Sequence, residues 1–308
     1  MKKDFVSIQD VTQEEVLELF DIAVKIKKEV KAGKFRDDLN QKTMAMIFEK
    51  PSLRTRVSFE AGFTQLGGHA IYLGPKDISL GKRESVPDIA RNLDRMTDII
   101  MARTFSHKSI EQLSEYSGVP VINALSDYEH PCQVMADYLT IMEHKGKVEG
   151  LKFAFLGAGN NMSHSLMLMA GLMGTNMTVG CAEGYEPLEH YTERSREMAE
   201  KSGAEIVITN DPVEAVKDAD VVYTDVWASM GEEDEKEARA KAFSKYQVNR
   251  ELFSHAKDDA IFMHCLPAHR GEEVTDDVID SKNSVVFDEA ENRLHAQKAV
   301  IMRLMGKA

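Results

Sequence analysis

The amino-acid sequence predicts an α/β protein of two doubly wound parallel-sheet domains joined by interdomain helices. Short apolar runs typical of buried strands alternate with segments of helical period, and this alternation starts again near residue 150. The length of 308 residues allows about two domains of roughly 150 residues each. We therefore expect a first domain over residues 1–145, a second over 146–288, and a final helix within 289–308 that packs back on the first.

The first domain begins with an amphipathic helix near Thr12–Ala32. Helices are also expected at Thr55–Leu66, Val86–Arg95 and Pro131–His144, and the polar stretch Lys145–Gly150 marks the boundary. Four apolar runs predict the strands of a parallel sheet: a buried strand at Thr43–Phe48, and strands at Ala70–Leu73, Ile99–Ala102 and Val119–Asn123.

The second domain repeats the pattern, and a final helix at Glu289–Met305 follows it. Its helices are expected at Ser163–Met173, Tyr191–Ser202 and Pro212–Lys217. Its strands are expected at Lys152–Leu156, Met177–Cys181, Glu205–Thr209, Val221–Thr224 and Ala260–His264.

Composition excludes several classes of function. A formal net charge of −13 argues against broad nucleic-acid binding. No apolar run approaches roughly 18 residues without a charge, so no membrane span is expected, and the N-terminus lacks the apolar core of a secretory signal. Cys132, Cys181 and Cys265 lie far apart, which favours a reducing cytoplasm over a disulfide framework or structural zinc.

Basic residues are nevertheless concentrated locally, in the run Ser52-Leu53-Arg54-Thr55-Arg56 between a predicted strand and helix. Backbone N–H groups at a helix N-terminus favour an anion. Two hydroxyl and two guanidinium groups add donors that suit a phosphate. The alternative interpretation is a serine cap followed by two surface arginines.

A second candidate lies at the start of the Pro131–His144 helix. Pro131 suits the first helical position, which places His130 at the helix N-terminus and Gln133 one turn on. The helix dipole there disfavours an imidazolium, so a neutral histidine that donates a hydrogen bond is expected. A capping histidine without a chemical task is the alternative.

A glycine turn, Gly157–Met162, follows the first strand of the second domain. With Glu183 near the end of the next strand, it imitates a dinucleotide-binding fingerprint, but Met162 replaces the third glycine. Asn160 and Asn161 would crowd a pyrophosphate and could instead bind the polar groups of an amino acid. Because the turn still imitates that fingerprint, an NAD-dependent oxidoreductase is kept as the alternative enzyme class.

Two further loops follow predicted strands, where ligands bind in open parallel sheets. Asp225 and Ser229 lie four residues apart and could hold an ammonium and a carboxylate. The segment His264–Gly271 contains two histidines and Cys265, but Pro267 breaks the spacing and no zinc pattern is present. A nucleophilic Cys265 with a histidine base is the other interpretation.

These motifs, in this order, resemble the aspartate and ornithine carbamoyltransferases over nearly the whole chain. Phe48–Arg56 resembles the carbamoyl-phosphate loop of that family, with Leu53 where many members carry threonine, and His130–Gln133 resembles its second signature. Asp225–Gly231 and His264–Pro267 resemble the ornithine branch.

The resemblance implies transfer of the carbamoyl group of carbamoyl phosphate to the δ-amine of L-ornithine, which gives citrulline and phosphate without a metal or organic cofactor. It implies that the first domain binds carbamoyl phosphate and the second binds ornithine. Carbamoyl phosphate would be bound by Ser52, Leu53, Arg54, Thr55, Arg56, Arg103, His130, Gln133, Cys265, Leu266 and Arg293. Ornithine would be bound by Asn161, Asp225, Ser229 and Met230, and the catalytic residues would be Arg103, His130, Asp225 and Cys265.

The resemblance also implies a homotrimer with shared active sites, into which a neighbour's loop, Gly74–Ser85, would bring Ser79 or Lys82. The segment Glu232–Tyr246 would close over ornithine. Alternative acceptors are N-acetylornithine, putrescine and aspartate, of which aspartate is disfavoured by the ornithine-type motifs. A catalytically silent anion-binding protein with the same fold is the remaining alternative.

Overall fold

The computed structural model describes residues 3–228 and 233–307. The chain divides into two compact units: unit 1 comprises Met1–Leu139 and Glu291–Ala308, and unit 2 comprises Thr140–Ala290. The chain leaves unit 1 inside the helix Pro131–Lys145 and returns inside the helix Val286–Leu304. The division lies six residues before the first expected boundary, 145/146, and two residues after the second, 288/289, and each of the two helices contributes residues to both units.

Within the described residues of unit 1, four strands form one sheet, and six helices and the C-terminal part of the helix Val286–Leu304 accompany it. The strands are β1 (Thr43–Phe48), β2 (His69–Leu73), β3 (Ile99–Arg103) and β4 (Val121–Leu125). The helices are α1 (Gln13–Lys31), α2 (Leu53–Gln65), α3 (Pro75–Ile78), α4 (Val86–Leu93), α5 (His107–Tyr116) and α6 (Pro131–Lys145).

In unit 2 five strands form the second sheet: β5 (Lys152–Leu156), β6 (Asn176–Gly180), β7 (Ile206–Thr209), β8 (Val221–Thr224) and β9 (Ile261–His264). The helices are α7 (Asn161–Met173), α8 (Glu189–Ser202), α9 (Pro212–Val216), α10 (Lys236–Phe243), α11 (Arg250–Phe253), α12 (Asp276–Ile279) and α13 (Val286–Leu304). Short 3₁₀ turns occur at Ile8–Asp10, Glu233–Glu235 and Ser244–Tyr246.

Both sheets are parallel, and each has a point where the strand order reverses. The order in unit 1 is β2-β1-β3-β4, so the chain moves outward from β1 to β2 and then returns to the other side at β3. The order in unit 2 is β7-β6-β5-β8-β9, with the reversal between β5 and β8. At such points the connections diverge to opposite faces, which opens a crevice at the carboxyl ends of the two central strands.

The central strands β1 and β3 are buried almost throughout because helices cover the sheet. The edge strand β2 is exposed or half-buried along its whole length. In unit 1 one core cluster joins the sheet residues Ala45, Ile100 and Val121 to Ile89 and Leu113 of the covering helices. In unit 2 a cluster packs Val222 and Phe262 against Trp227, Phe243 and Tyr246. None of the described helices has the length and apolar character needed to cross a membrane.

The elements differ from the prediction mainly at their ends. Helix α2 begins at Leu53 because the Ser52 hydroxyl caps it, earlier than the expected start at Thr55. Strand β4 runs over Val121–Leu125 rather than Val119–Asn123, since its pairing with β3 begins at Val121. Pro120 has no N–H to donate and contributes only its carbonyl oxygen, which accepts from Ile100 at 2.9 Å.

Candidate active site

The crevice of unit 1 lies at the carboxyl ends of β1 and β3. The Glu49 N–H donates to the Arg103 carbonyl oxygen at 2.9 Å and the Glu49 carboxylate accepts from the Phe105 N–H at 2.8 Å, so the two strand ends are tied together. The Ser52 hydroxyl accepts from the Thr55 N–H at 3.3 Å. A helix N-terminus leaves its first N–H groups without intrahelical partners, and α2 presents that positive end beside the crevice.

Three guanidinium groups surround a buried imidazole in unit 1. Burial, followed by the charges of Arg293, Arg103 and Arg54, holds the pKa of His130 well below its ordinary value. His130 is therefore neutral at neutral pH, as its place at the start of α6 predicts. Arg103 and Arg293 are themselves buried. Such a concentration of positive charge in a dry crevice favours an anionic ligand.

A hydrogen-bonded chain fixes the orientation of Arg293. Its guanidinium donates to the Gln133 side-chain oxygen at 2.5 Å and to the Thr55 hydroxyl at 3.4 Å. The Gln133 amide nitrogen in turn donates to the Asp137 carboxylate at 2.8 Å. All four side chains are buried, so α2, α6 and α13 are linked by polar groups in a low-dielectric setting. Asp137, which the sequence analysis missed, supplies the acceptor that orients Gln133.

Arg56 lies apart from the three other guanidinium groups. It is exposed, its Nε donates to Glu60 at 3.1 Å, and it lies over the Tyr72 ring at 4.1 Å from the centroid. The carbamoyl-phosphate role that the resemblance implies for Arg56 stays a prediction, as do the roles of Ser79 and Lys82. Ser79 follows α3 with a left-handed φ of 43°, and Lys82 is exposed.

The crevice of unit 2 is centred on Asp225, the first residue after β8. One carboxylate oxygen accepts from the Val226 N–H at 2.8 Å and from the Cys265 thiol at 3.2 Å. The other accepts from the Asn160 amide at 3.0 Å. The ends of β5, β8 and β9 are thus tied together through one buried carboxylate.

The glycine turn after β5 is closed by the chain itself. The Gly159 N–H donates to the Tyr185 carbonyl oxygen at 2.7 Å, and a Cβ on Gly159 would lie 2.2 Å from the Pro187 nitrogen. A dinucleotide-binding turn instead leaves this backbone open for a pyrophosphate. The segment around Pro187 fills that space, which argues against NAD binding on physical grounds.

Two buried carboxylates position the loop that carries Cys265. The Leu266 N–H donates to His264 Nδ1 at 2.8 Å, which assigns the ring proton to Nε2, and Nε2 donates to Glu273 at 3.1 Å. Glu289 accepts from the His264 N–H at 3.0 Å and from the Tyr223 hydroxyl at 3.2 Å. These contacts hold Leu266 at a φ of 57°, a conformation that a branched side chain rarely adopts unaided.

The same contacts bear on metal binding. Ligand atoms of Asp225, His264 and Cys265 lie within 4.8 Å of one another. Both ring nitrogens of His264 are, however, engaged with Leu266 and Glu273, so the ring offers no lone pair to a cation without losing a contact. This donor set fits a hydrogen-bonded loop better than a metal centre.

The three cysteines occupy different environments. Burial raises the pKa of Cys132 and of Cys181 to about 12 in each case, which makes both thiols poor nucleophiles. Cys265 is partly exposed and lies against Asp225, a carboxylate rather than the cationic group that would activate a thiol. This arrangement favours a thiol that orients other groups over a covalent nucleophile.

The remaining sequence-predicted residues are placed as follows. Asn161 is the first residue of α7, directly after Asn160, which caps that helix. Leu266 lies next to Cys265 in the loop after β9. Ser229 and Met230 lie outside the described residues. The sequence analysis missed Asn160 as a partner of Asp225, and the turn position before α7 was the signal that could have identified it as a cap.

Comparison with known proteins agrees with this arrangement. The model of the aspartate/ornithine carbamoyltransferase carbamoyl-P binding domain matches residues 3–143, and that of the Asp/Orn binding domain matches residues 149–304. The chain is 56% identical over 304 residues to the ornithine carbamoyltransferase of Thermococcus kodakarensis. The matched region covers 99% of this chain and 96% of that protein.

Solved structures give the same result. The structure of ornithine carbamoyltransferase from Pyrococcus furiosus matches with a TM-score of 0.96 and 54% identity, covering 99% of this chain and 97% of that one. The anabolic enzyme from Campylobacter jejuni matches with a TM-score of 0.93 and 40% identity, over 100% of both chains. With two family models that together span nearly all of its residues, the chain belongs to the aspartate/ornithine carbamoyltransferase family.

Proposed function

We propose that this chain transfers the carbamoyl group of carbamoyl phosphate to the δ-amine of L-ornithine, giving L-citrulline and phosphate. The observation that carries the proposal is the group of Arg54, Arg103 and Arg293 around the neutral His130, beside the N-terminus of α2. The high identity to proteins named ornithine carbamoyltransferase over the whole chain supports the choice of acceptor.

Carbamoyl phosphate is assigned to unit 1. Its phosphate meets the first N–H groups of α2 at Leu53, the hydroxyls of Ser52 and Thr55, and the Arg54 guanidinium. Arg54 is half-buried at the crevice, and Thr55 already accepts from Arg293 at 3.4 Å. The phosphate leaves as an anion, so donors that hold it in the substrate also stabilise it as a leaving group.

The carbonyl end of carbamoyl phosphate is assigned to Arg103 and His130. Attack on the carbonyl carbon moves negative charge onto its oxygen, and donors fixed before the reaction stabilise that charge without reorganisation. The lowered pKa of His130 suits this role because a neutral imidazole polarises the oxygen without giving up a proton in the ground state. Gln133, held by Arg293 and Asp137, supplies an amide for the carbamoyl nitrogen or oxygen.

Ornithine is assigned to unit 2. Asp225 is a buried carboxylate suited to an ammonium group, and Asn161 lies at the start of α7 with polar atoms for the α-amino-acid end. Ser229 and Met230 complete this assignment by family resemblance. The Cys265 thiol and the Leu266 carbonyl are assigned to the reacting groups, both the carbamoyl group, as the family resemblance implies, and the amine, and they lie next to the loop contacts that His264 makes.

The reaction requires a neutral amine. The δ-ammonium of ornithine has an ordinary pKa near ~10.4, like that of lysine, and a dry pocket lowers it by disfavouring the charged form. The amine nitrogen forms a bond to the carbamoyl carbon, the bond from that carbon to the phosphate oxygen breaks, and the amine gives up a second proton as the product forms. Solvent or the departing phosphate receives it.

A homotrimer is the assembly we propose, with the Gly74–Ser85 loop of a neighbour completing each site. A groove beside the outer surface of α2 supports an interface between subunits at that helix. Phe35 and Val57 are 64% and 54% exposed and line a groove of about 760 Å³ together with Ala61 and Thr64. Large apolar side chains grouped on a surface are typical of contact sites between proteins.

A reducing compartment such as the cytoplasm is the proposed location, because none of the three cysteines forms a disulfide. The anabolic enzymes of Pyrococcus furiosus and Campylobacter jejuni support a biosynthetic step that leads to arginine.

The test is an acceptor comparison. The purified protein is incubated with carbamoyl phosphate and, separately, L-ornithine, N-acetyl-L-ornithine, putrescine and L-aspartate, and each carbamoylated product is quantified. Citrulline formed strongly from ornithine alone is the expected result. Preference for another amine would overturn the assignments in unit 2 while retaining those in unit 1. No product from any acceptor would indicate a silent anion-binding protein.

A further inference from the structure

The side chain of Asn160 makes two kinds of contact at once, one with the helix α7 and one with Asp225. Its amide oxygen caps α7 by accepting from the Met162 and Ser163 N–H groups at 3.0 and 3.1 Å. Its amide nitrogen donates to Asp225 at 3.0 Å. Because the two helix contacts require the oxygen on that side, they fix which end of the amide faces Asp225. The cap therefore dictates that a donor faces the carboxylate.

The contacts of Asp225 leave a defined acceptor position. A carboxylate offers about four lone-pair positions. The Val226 N–H and the Cys265 thiol use those of Oδ1, and the Asn160 amide uses one of the two on Oδ2. Within the described residues, one position on Oδ2 is left for a substrate ammonium, directly beside the Asn160 amide.

We propose that Asn160 is a positioning residue for the amino-acid acceptor, acting through Asp225. Its amide holds the plane of the carboxylate so that the remaining lone pair of Oδ2 is presented to the ammonium group. The proposal rests on the proposed function, because it takes ornithine as the ligand of Asp225. It distinguishes Asn160 from an ordinary helix cap, which would contribute only to stability.

The first test separates the cap from the donor. Asn160→Ser retains a hydroxyl that caps α7 but removes the donor to Asp225, since serine is as good a cap as asparagine. We expect the melting temperature to stay within a few degrees and kcat/KM for ornithine to fall about tenfold to hundredfold, the effect of losing a hydrogen bond to a charged group. Carbamoyl-phosphate binding, measured by calorimetry without ornithine, is expected to be unchanged.

The matched control is Asn249→Ser, which makes the same exchange at the cap of α11, where the Asn249 side chain accepts from the Leu252 N–H at 2.9 Å. This variant is expected to keep the ornithine kinetics of the wild type. Equal behaviour of the two serine variants would overturn the proposal, and so would an equal loss of carbamoyl-phosphate and ornithine binding in Asn160→Ser.

A second variant tests the mechanism through pH. Asn160→Asp keeps the cap but places a second carboxyl group beside Asp225, and two adjacent carboxylates raise the pKa of one of them. Protonation of the new group restores an O–H donor. The ratio of variant to wild-type kcat/KM for ornithine is therefore expected to rise as the pH falls.

A ratio that does not change with pH would refute positioning by the donor. If the wild-type protein forms no citrulline, the proposed function fails first, and the proposal for Asn160 fails with it. Citrulline formation by the wild type together with unaltered Asn160→Ser kinetics would refute the proposal for Asn160 alone.

Discussion

The two units use the same topological position for opposite charges. In each, the crevice lies where the strand order reverses, between β1 and β3 or between β5 and β8. Unit 1 places three guanidinium groups around a neutral imidazole there, and unit 2 places one carboxylate among amide, thiol and backbone donors. Topology therefore determines where a ligand binds, and the side chains at the strand ends determine which charge it carries.

The two crevices also differ in how their charged groups are supported. Arg293 is oriented by a chain of polar side chains that reaches Asp137 through Gln133. Asp225 is oriented directly by its own three donors. A change at a supporting residue should therefore act at a distance in unit 1 and locally in unit 2, and each substitution should affect one substrate only.

The largest expected effect is that of Arg54→Ala. Removing a guanidinium that contacts the phosphate in the ground state and in the transition state should lower kcat/KM for carbamoyl phosphate by roughly a thousandfold. Arg54 is half-buried, so the melting temperature should stay close to that of the wild type. Steady-state kinetics check the rate and calorimetry checks the melting temperature. The control is Arg194→Ala in unit 2, which removes another half-buried arginine, one that pairs with Glu197 at 2.9 Å. A near-normal rate would refute the phosphate site.

Asp225→Asn is the corresponding change in unit 2. The new amide has one acceptor end only, so its NH2 group would face either the Asn160 amide and the ammonium or the Val226 N–H and the Cys265 thiol, and one set of contacts is lost in either orientation. We expect kcat/KM for ornithine to fall about a hundredfold, in the range of a lost hydrogen bond between charged groups. Carbamoyl-phosphate affinity, measured by calorimetry, should not change. An equal loss for both substrates would mean that the two crevices do not act separately.

Cys265→Ser should have a smaller effect of the same kind. A serine hydroxyl can still donate to Asp225, but the S···O distance of 3.2 Å exceeds the roughly 2.7 Å preferred by two oxygens, so the contact must rearrange. We expect about a tenfold loss in kcat/KM for ornithine and little change in carbamoyl-phosphate binding. Rate measurements with each substrate varied in turn distinguish this from a general loss of activity, which would contradict the placement of Cys265.

Local sequence predicted those parts of the molecule that depend on short segments. The strands follow from patterns of a few residues, and so does the Ser52 cap, which was the alternative interpretation of its motif; both are present. The neutral His130 was expected from the helix dipole, but burial and three arginines, two of them remote in sequence, cause it. The runs of basic and polar residues that follow β1 and β8 also indicated the two crevices. Parallel strands end at the same edge of a sheet, and ligands bind at that edge.

The supporting contacts could not be predicted because they join remote segments. Glu289 binds the Tyr223 hydroxyl and the His264 N–H, and Glu273 binds the His264 ring, yet in sequence both glutamates resemble ordinary surface acids. Their burial depends on the packing of α13 and of the loop after β9. Arg56 pairs with Glu60, four residues on, a local contact that the sequence analysis did not name; its carbamoyl-phosphate role stays a prediction.

The smallest effect expected is on stability, and it concerns His130. Its pKa is held low in the folded protein by burial and by Arg293, Arg103 and Arg54, whereas the unfolded chain protonates near pH ~6.5. The stability that the neutral His130 contributes is therefore complete above pH ~6.5 and is lost as the pH falls below that value, by up to about 1.4 kcal/mol per pH unit.

Urea unfolding between pH 5 and 8 measures the free energy of unfolding as a function of pH. This free energy should depend less on pH for His130→Gln than for the wild type. Subtracting the free energy of unfolding of the variant from that of the wild type at each pH removes the contribution of His295. Its pKa is lowered to about 4, so it destabilises both proteins equally as the pH falls. Parallel profiles would mean that the pKa of His130 is the same in the folded protein and in the unfolded chain, which would refute the lowered pKa on which the neutral donor is argued.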